Sequence, residues 1–342
     1  MILAEDLLAE DLAAIDRQLA PHWAGLNGAR IFMTGGTGFI GRWMLEALAV
    51  SKCDADVVIL SRDPAAFAAR APHLAKRFQF VAGDVCDFVA PPGSFTHVIH
   101  AATDASAYLN AHDPRRMFDT IVMGTRNALD LAVERGAGRL LFLSSGAVYG
   151  AQPWEVTHVA EDWFGGPDPR DPKSAYGEGK RAAELLCAIY GKQFGLDVVT
   201  SRIFALLGPL LSLDIHFAAG NFIRDAMAGR AIRIESAGTA VRSYLYVADL
   251  AAWLWLMLLR APRDATWNMG SEEAVSIADL ARRTAAVLGG PGVEVLGRAD
   301  AGWNPGRYVP STALVRDQLG VAPTLCLDAA IRRTAIFNGW KK

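Results

Sequence analysis

The sequence contains few cysteines and no surplus of charge of either sign. Its 342 residues include four cysteines, Cys53, Cys86, Cys187 and Cys326, and no two have Cys-x-x-Cys spacing. This pattern predicts buried thiols in a reduced protein and no disulfide framework or metal site. The formal net charge is -2, so the overall charge favours neither nucleic acid nor an anionic membrane surface as a partner.

Long hydrophobic runs are also missing. The longest, residues 250–259, is roughly half of what a membrane-spanning helix needs. The opening Met-Ile-Leu-Ala-Glu-Asp has no basic region of the kind that begins a secretory signal. We therefore expect a cytoplasmic protein that is neither secreted nor inserted into a membrane.

Apolar residues make up 52% of the chain, which is enough for a large core in one domain or two closely joined ones. Residues 2–19 repeat apolar side chains at helical spacing between acidic ones, which predicts an amphipathic helix. Lysine and arginine are nearly absent from it. We therefore expect its apolar face to pack on the domain or on a partner subunit and not on a membrane.

A glycine-rich stretch, Thr34-Gly35-Gly36-Thr37-Gly38-Phe39-Ile40-Gly41, joins a short apolar run to a helical pattern. Glycines between a strand and a helix let the backbone turn sharply and approach a pyrophosphate, which binds at the positive end of the helix dipole. The spacing Gly-x-x-Gly-x-x-Gly differs from the usual Gly-x-Gly-x-x-Gly. The stretch still predicts a dinucleotide-binding turn.

Strand and helix patterns alternate after this turn. Strands are predicted at residues 29–33, 56–60, 78–82, 97–100, 139–143 and 198–204, with helical patterns between them. Such alternation predicts a Rossmann-like, doubly wound parallel sheet of the α/β class, with ligands beyond the carboxyl ends of the strands. We assign residues 1–28 to an N-terminal helical extension, 29–205 to the dinucleotide-binding domain and 206–342 to a smaller substrate-binding lobe.

The end of the second strand bears on cofactor choice. An acidic side chain there accepts hydrogen bonds from a ribose hydroxyl, whereas an arginine matches a 2'-phosphate. The chain has Ser61-Arg62-Asp63. Ser61 followed by Arg62 favours NADP, while Asp63 leaves NAD open.

Tyr176 and Lys180 are four residues apart at the start of a helical pattern, so their side chains project from one face. A phenol titrates near pH 10, and a neighbouring cation stabilises its anion. We expect Lys180 to lower the pKa of Tyr176 toward a value suited to proton exchange with a hydroxyl or a ketone.

Several motifs together resemble the extended short-chain dehydrogenase/reductases, in their nucleotide-sugar epimerase/dehydratase branch. They are the glycine turn, Gly83-Asp84, His100-Ala101-Ala102, Ser144-Ser145 with Val148-Tyr149-Gly150, and Tyr176-x-x-x-Lys180, and the match runs from about residue 29 to 320. The resemblance implies that Tyr176 is the acid/base, that Lys180 holds the nicotinamide ribose, and that Ser145 bonds the reacting sugar hydroxyl.

The resemblance also implies the binding residues. Asp84 would contact adenine, and the cofactor-binding set is Gly35, Thr37, Gly38, Phe39, Ile40, Gly41, Ser61, Arg62, Asp84, Val85, Ala101, Ala102, Thr103, Tyr176 and Lys180. Arg242, in Arg-Ser-Tyr-Leu-Tyr-Val-Ala-Asp, and Arg307, in Asn-Pro-Gly-Arg-Tyr, resemble arginines that bind a substrate diphosphate. Ser145 and Asn221 complete the predicted substrate site.

Three departures from the family's pattern matter, and one of them, Ala205 after Arg202-Ile-Phe204, removes a familiar contact to the substrate. Dehydratases and decarboxylases commonly have a glutamate before Val-Tyr-Gly, where this chain has Ala147. Its loss counts against elimination of water, which needs an additional acid or base, although Glu155, Glu161 or Asp162 of the following loop could substitute. Thr120 stands where relatives often have asparagine.

The preferred interpretation is an enzyme that transfers hydride at carbon 4 of a nucleotide-diphosphate sugar, as a 4-ketoreductase or a 4-epimerase. A 4,6-dehydratase or decarboxylase is the alternative, and a non-catalytic dinucleotide-sensing protein is another, since fold alone does not give function. Relatives commonly dimerise through two long helices that correspond to residues 115–135 and 175–194. We therefore expect a homodimer, with Ile121, Leu129, Leu185 and Ile189 among the apolar residues of those helices.

Overall fold

The computed structural model describes residues 4–103, 106–214, 218–298 and 306–341. The strands are β1 (Arg30–Thr34), β2 (Asp56–Ser61), β3 (Gln79–Ala82), β4 (His97–His100), β5 (Arg139–Ser145), β6 (Asp197–Ile203), β7 (Leu206–Leu207), β8 (Ile232–Ile234), β9 (Val241–Arg242), β10 (Leu245–Tyr246), β11 (Thr266–Met269), β12 (Val275–Ser276), β13 (Val293–Val295) and β14 (Arg307–Tyr308).

The α-helices are α1 (Ala4–Leu19), α2 (Phe39–Val50), α3 (Pro64–Arg70), α4 (Pro72–Arg77), α5 (Ala107–His112), α6 (Pro114–Glu134), α7 (Ala175–Phe194), α8 (Ala218–Met227), α9 (Val247–Arg260), α10 (Ile277–Leu288), α11 (Ala313–Leu319) and α12 (Leu327–Phe337). Short 3-10 helices lie at Trp23–Leu26, Gly146–Tyr149 and Pro172–Ser174.

Seven strands form one parallel sheet in the order β11-β6-β5-β4-β1-β2-β3. The order reverses next to β1, where β2 lies on one side and β4 on the other, and such a reversal opens a crevice at the carboxyl edge of the sheet. The predicted doubly wound α/β fold is confirmed. Six of the seven strands correspond to those predicted from the sequence, to within about two residues at either end.

The edge strand β11 comes from the C-terminal part of the chain. It pairs with β6 in the register Thr266 to Thr200 through Met269 to Ile203. The chain therefore returns to the main sheet after it has begun the second lobe, and the two parts share one sheet. The remaining strands form pairs and a three-stranded sheet in the order β12-β9-β14.

The apolar run that was noted in the sequence forms α9, whose residues 247–258 are all buried. No helix in the described ranges has the length and hydropathy to cross a bilayer. Helix α1 packs against α9, α2 and α12, and Leu7, Leu12, Ile15 and Leu19 are buried in that contact. The predicted amphipathic helix therefore packs on its own domain, although residues 2 and 3 of the prediction lie outside the described part.

Candidate active site

The glycine turn connects β1 to α2 directly. Gly38 is the N-cap residue of α2 and donates its N–H to the carbonyl oxygen of Gly35 over 3.1 Å. Gly35 has φ +72°, and a Cβ there would lie 2.4 Å from the carbonyl carbon of Ala101. A Cβ on Gly41 would lie 2.2 Å from the carbonyl oxygen of Gly35. Neither position accepts a side chain, so the backbone forms a close-walled cradle before the free N–H groups of the helix.

A cavity of about 150 Å³ opens at this cradle, at the carboxyl ends of β1, β2 and β4. Its lining contains ten of the predicted cofactor residues, together with Thr34, Leu60, Gly83 and Thr120; the ten are Gly35, Thr37, Gly38, Ser61, Arg62, Asp84, Val85, Ala101, Ala102 and Thr103. Phe39, Ile40 and Gly41 occupy the first turn of α2. These residues fit the pyrophosphate of a dinucleotide, because the glycines have no side chains that would separate it from the backbone N–H groups at the start of α2. Leu60 was missed in the sequence because an apolar strand residue has no distinguishing signal.

His100 lies next to this cavity, and it contacts Thr34, which lines the cavity. It is buried, and its ring nitrogens lie 2.8 Å from Thr34 Oγ1 and 3.0 Å from Thr125 Oγ1. Burial, with a smaller contribution from Lys180, lowers the pKa of His100 to about 3. The ring is therefore neutral at physiological pH, and it holds the end of β1 against α6.

Ser145 and Tyr176 meet beyond β5. Ser145 is the last residue of β5, and its Oγ accepts a hydrogen bond from Ala147 N over 3.2 Å. Tyr176 lies in the first turn of α7, and its phenol is close enough to the Ser145 hydroxyl for that group to act on the pKa of Tyr176. The Tyr176 backbone N–H donates to Asn110 Oδ1 at 3.0 Å. The fold thus brings the predicted serine and tyrosine together and anchors the start of α7.

Lys180, one turn after Tyr176, is only 2% exposed. Its ammonium donates to Thr103 Oγ1 and to the carbonyl oxygen of Leu143, each over 2.7 Å. Thr103 lines the cofactor cavity. Burial lowers the pKa of Lys180 to about 7, and the nearby Glu184 carboxylate partly offsets that effect. The lysine therefore connects α7, β5 and the cofactor cavity.

The expected lowering of the Tyr176 pKa is wrong for the protein without bound cofactor or substrate. Burial raises the pKa of Tyr176 above its usual value, and only the hydrogen bond with Ser145 opposes the shift. Burial of a phenol disfavours its anion. The ammonium of Lys180 points to Thr103 and Leu143, so in this structure its contribution does not outweigh desolvation.

A second tyrosine enters the site. Tyr308 Oη lies 3.3 Å from Ser145 Oγ and 3.3 Å from the carbonyl oxygen of Ile203, and its ring lies 4.5 Å from that of Phe204. Burial raises the pKa of Tyr308, so its phenol is neutral. No pattern in the sequence indicates this role, because Tyr308 is distant in the chain from Ser145 and belongs to a two-residue strand.

The two predicted diphosphate arginines, Arg242 and Arg307, lie on the adjacent parallel strands β9 and β14. The register is offset so that the two arginines do not pair with each other. Tyr308 pairs with Arg242, and Arg307 pairs with Val241. Since successive side chains of a strand alternate between faces, Arg242 shares a face with Tyr308, whose ring centre is 6.0 Å from the guanidinium carbon.

The guanidinium of Arg307 instead lies 4.6 Å from the ring centre of Trp154, and its Nε is buried without a partner in the described ranges. Residues 304 and 305 of the motif around Arg307 lie outside the described part. Asn221 is half-buried on α8, and no described contact joins it to the other predicted site residues.

A half-buried charged network adjoins the end of β5 that carries Ser145. The Glu184 carboxylate accepts a hydrogen bond from Ser144 Oγ at 2.6 Å and forms an ion pair with Arg202 at 2.8 Å. Arg202 also donates to Tyr149 Oη over 2.8 Å and to the carbonyl oxygen of Glu161. The network joins α7, which holds Tyr176 and Lys180, to β5, which ends at Ser145, and to the neighbouring strand β6.

Comparison with known proteins decides the family. The model of the NAD dependent epimerase/dehydratase family matches residues 31–270, the segment that contains the cradle, the cofactor cavity and the serine–tyrosine–lysine centre. The chain belongs to this family. The predicted resemblance to the extended short-chain dehydrogenase/reductases and to nucleotide-sugar enzymes is confirmed.

Relatives within the family have two named activities. UDP-glucuronic acid decarboxylase 6 of Arabidopsis thaliana is 31% identical over 308 residues, which is 88% of this chain and 86% of the relative. UDP-glucose 4-epimerase of Thermus thermophilus, solved with NAD, is 26% identical with a TM-score of 0.75 and covers 91% of this chain and 99% of its own. The UDP-glucose 4-epimerase of Thermotoga maritima, solved with UDP-glucose, has a TM-score of 0.78 and 20% identity. The match covers 90% of this chain and 98% of the epimerase chain. At this identity it supports the fold alone.

Proposed function

We propose that this protein transfers hydride at carbon 4 of a nucleotide-diphosphate sugar, with 4-epimerisation or reduction of a 4-ketone as the net reaction. The observation that carries the proposal is the Ser145–Tyr176 pair, placed beside a buried lysine that bonds a residue of the cofactor cavity. The proposal is also supported by the 4-epimerase named among the structural relatives.

Each residue of the pair has a role in proton transfer. Tyr176 accepts the proton of the sugar 4-hydroxyl as its phenolate when that carbon is oxidised, and the phenol so formed returns a proton when the ketone is reduced. The hydroxyl of Ser145 holds the same oxygen and fixes its distance from the phenol. When bound, the nicotinamide cofactor accepts and donates the hydride. Lys180 supplies positive charge near the phenol, which favours its anion once the site is assembled.

Decarboxylation and dehydration are the alternative, and the decarboxylases among the relatives favour them. Dehydration needs an acid and a base in addition to the tyrosine, whereas a 4-keto uronic acid loses carbon dioxide with its ketone as the electron sink. The 3-10 helix after Ser145 offers Gly146 and Ala147. Of the loop carboxylates, Glu155 and Asp162 are exposed, and Glu161 accepts the Asn268 backbone N–H at 2.8 Å. No described carboxylate therefore takes the place of the missing glutamate, which counts against dehydration.

For the cofactor we propose NADP over NAD. Ser61 and Arg62 line the cofactor cavity at the end of β2, where an arginine favours a 2'-phosphate. Asp63 accepts the Ala66 backbone N–H at 2.8 Å as the N-cap of α3, so its carboxylate is already engaged. The family is described as NAD dependent, and the structural relative was solved with NAD, so the proposal of NADP rests on this chain's own residues.

We also propose a homodimer through the predicted helices, in which two of the four apolar residues named from the sequence are replaced. Ile121 and Leu129 are buried inside the subunit, at 1% and 0% exposure, so they cannot form the contact. Leu185 and Ile189 of α7 are exposed, and Phe118 and Met123 of α6 join them as exposed apolar side chains. Exposed apolar residues on two packed helices support association with a second copy.

The reaction is tested by incubating the purified protein with a panel of nucleotide sugars and their 4-keto forms, with each cofactor in turn. Products are identified by mass and by proton NMR. Unchanged mass with new ring couplings indicates an epimerase, and a gain of two hydrogens indicates a reductase. Loss of water or of carbon dioxide would contradict the proposal. Tight cofactor binding without turnover of any substrate would instead favour a dinucleotide-sensing protein.

A further inference from the structure

A second cavity adjoins the proposed cofactor site. Its volume is about 310 Å³, and it is lined by Arg62, Asp84, Cys86, Asp113, Arg115, Arg116, Asp119 and Thr120. Arg62, Asp84 and Thr120 also line the cofactor cavity. The two cavities therefore meet at the end of β2, on the side where the proposed cofactor would place its adenosine.

Three arginines reach this cavity from two directions. Arg62 follows the last residue of β2, whereas Arg115 and Arg116 lie in the first turn of α6. The start of α6 is also the positive end of its dipole, although Pro114 has no N–H and the Arg116 N–H is bound by the side chain of Asp113. Both features attract an anion, and guanidinium groups match the oxygens of a phosphate in pairs.

Three carboxylates, Asp84, Asp113 and Asp119, also line the cavity and equal the three arginines in number, so a preference for phosphate depends on the paired geometry of the guanidinium groups and not on net charge. Asp113 is the N-cap of α6 and accepts the Arg116 backbone N–H at 3.1 Å. Asp84 accepts the Cys86 backbone N–H at 2.9 Å. Within residues 4–103, 106–214, 218–298 and 306–341, neither Arg115 nor Arg116 forms an ion pair. Both arginines are exposed and remain available to a ligand.

We propose that Arg62, Arg115 and Arg116 together bind the 2'-phosphate of an adenine dinucleotide. The inference rests on the proposed cofactor site and extends it to α6, which supplies two of the three charges. The cavity has room for a phosphate and several waters, since a water takes about 30 Å³. Preference for NADP would then depend on α6 as well as on the residue that follows β2.

The test uses a fragment that lacks nicotinamide, so that it does not depend on activity. Isothermal titration compares 2',5'-ADP with 5'-ADP on the full-length protein and on the variants Arg62→Ala, Arg115→Ala and Arg116→Ala. We expect the parent to prefer 2',5'-ADP. Each variant should lose roughly fivefold in affinity for it, a modest factor because the groups are exposed, and should bind 5'-ADP as the parent does. Added salt should reduce the preference.

Arg126→Ala is the matched control. Arg126 is an exposed arginine of the same helix that pairs with Asp130 and lines neither cavity, so its loss should leave both affinities unchanged. Equal binding of the two fragments by the parent overturns the proposal. A loss confined to Arg62→Ala overturns the role of α6. Either result leaves hydride transfer at carbon 4 untouched, because product analysis with NAD tests that reaction separately.

Discussion

Lys180 offers a stability measurement that requires no substrate. Its ammonium is buried, and its pKa falls from 10.5 to about 7. In the unfolded chain the lysine keeps its usual pKa, so between about pH 7 and 10.5 the unfolded state binds more protons than the folded state. The contribution of Lys180 to the free energy of unfolding therefore increases as pH rises through that window.

The size of the effect follows from the shift. One pKa unit corresponds to about 1.4 kcal/mol, so between pH 7 and 9.5 the parent should gain roughly 3 kcal/mol relative to Lys180→Met. Urea unfolding of cofactor-free protein, followed by tryptophan fluorescence at several pH values, measures this difference. In the difference between the parent and variant free energies of unfolding, the contributions of all other titrating groups that the substitution leaves unchanged cancel.

Lys192→Met is the matched control, since Lys192 is an exposed lysine in the last turn of the same helix. Its difference from the parent should stay constant across the same pH range. If the Lys180→Met difference is equally constant, the ammonium keeps its ordinary pKa. The reasoning from burial would then be refuted.

Three further predictions concern the proposed function. Tyr176→Phe should reduce turnover by about a hundredfold to ten-thousandfold with cofactor affinity nearly unchanged, because only the transferable proton is lost; retention of most activity would exclude Tyr176 as the acid/base. Arg242→Ala and Arg307→Ala should each weaken binding of a nucleoside diphosphate by about tenfold to a hundredfold in isothermal titration, the equivalent of roughly 1.5 to 3 kcal/mol; parent-like affinity in both variants would make them ordinary surface charges. Leu185→Glu should convert a dimer to a monomer in light scattering at micromolar concentration, and a monomeric parent would contradict the proposed dimer.

The sequence predicted the features that depend on local pattern. Gly35 to Gly41 are recognisable because a turn between a buried strand and a helix excludes side chains at fixed positions. Helix α7 was predicted from Ala175 to Phe194, which are its bounds in the structure. The spacing of Tyr176 and Lys180 needs only the helical repeat.

Features that depend on packing could not be predicted in this way. The direction of the Tyr176 pKa shift is set by burial, which a sequence pattern does not measure. Ile121 and Leu185 are both apolar residues on long helices, yet one is buried in its own subunit and the other is exposed. Tyr308 reaches Ser145 only because β9, β12 and β14, from three distant parts of the chain, form one small sheet.

The return of β11 to the main sheet has a consequence for how the chain folds. Until residue 269 has been synthesised, β6 has an open edge from Asp197 to Ile203, and a hydrophobic open edge invites pairing with other chains. The strand is buried along most of its length in the finished protein. We therefore expect a fragment that ends at residue 205 to aggregate, and the nascent chain to complete its sheet only late in synthesis.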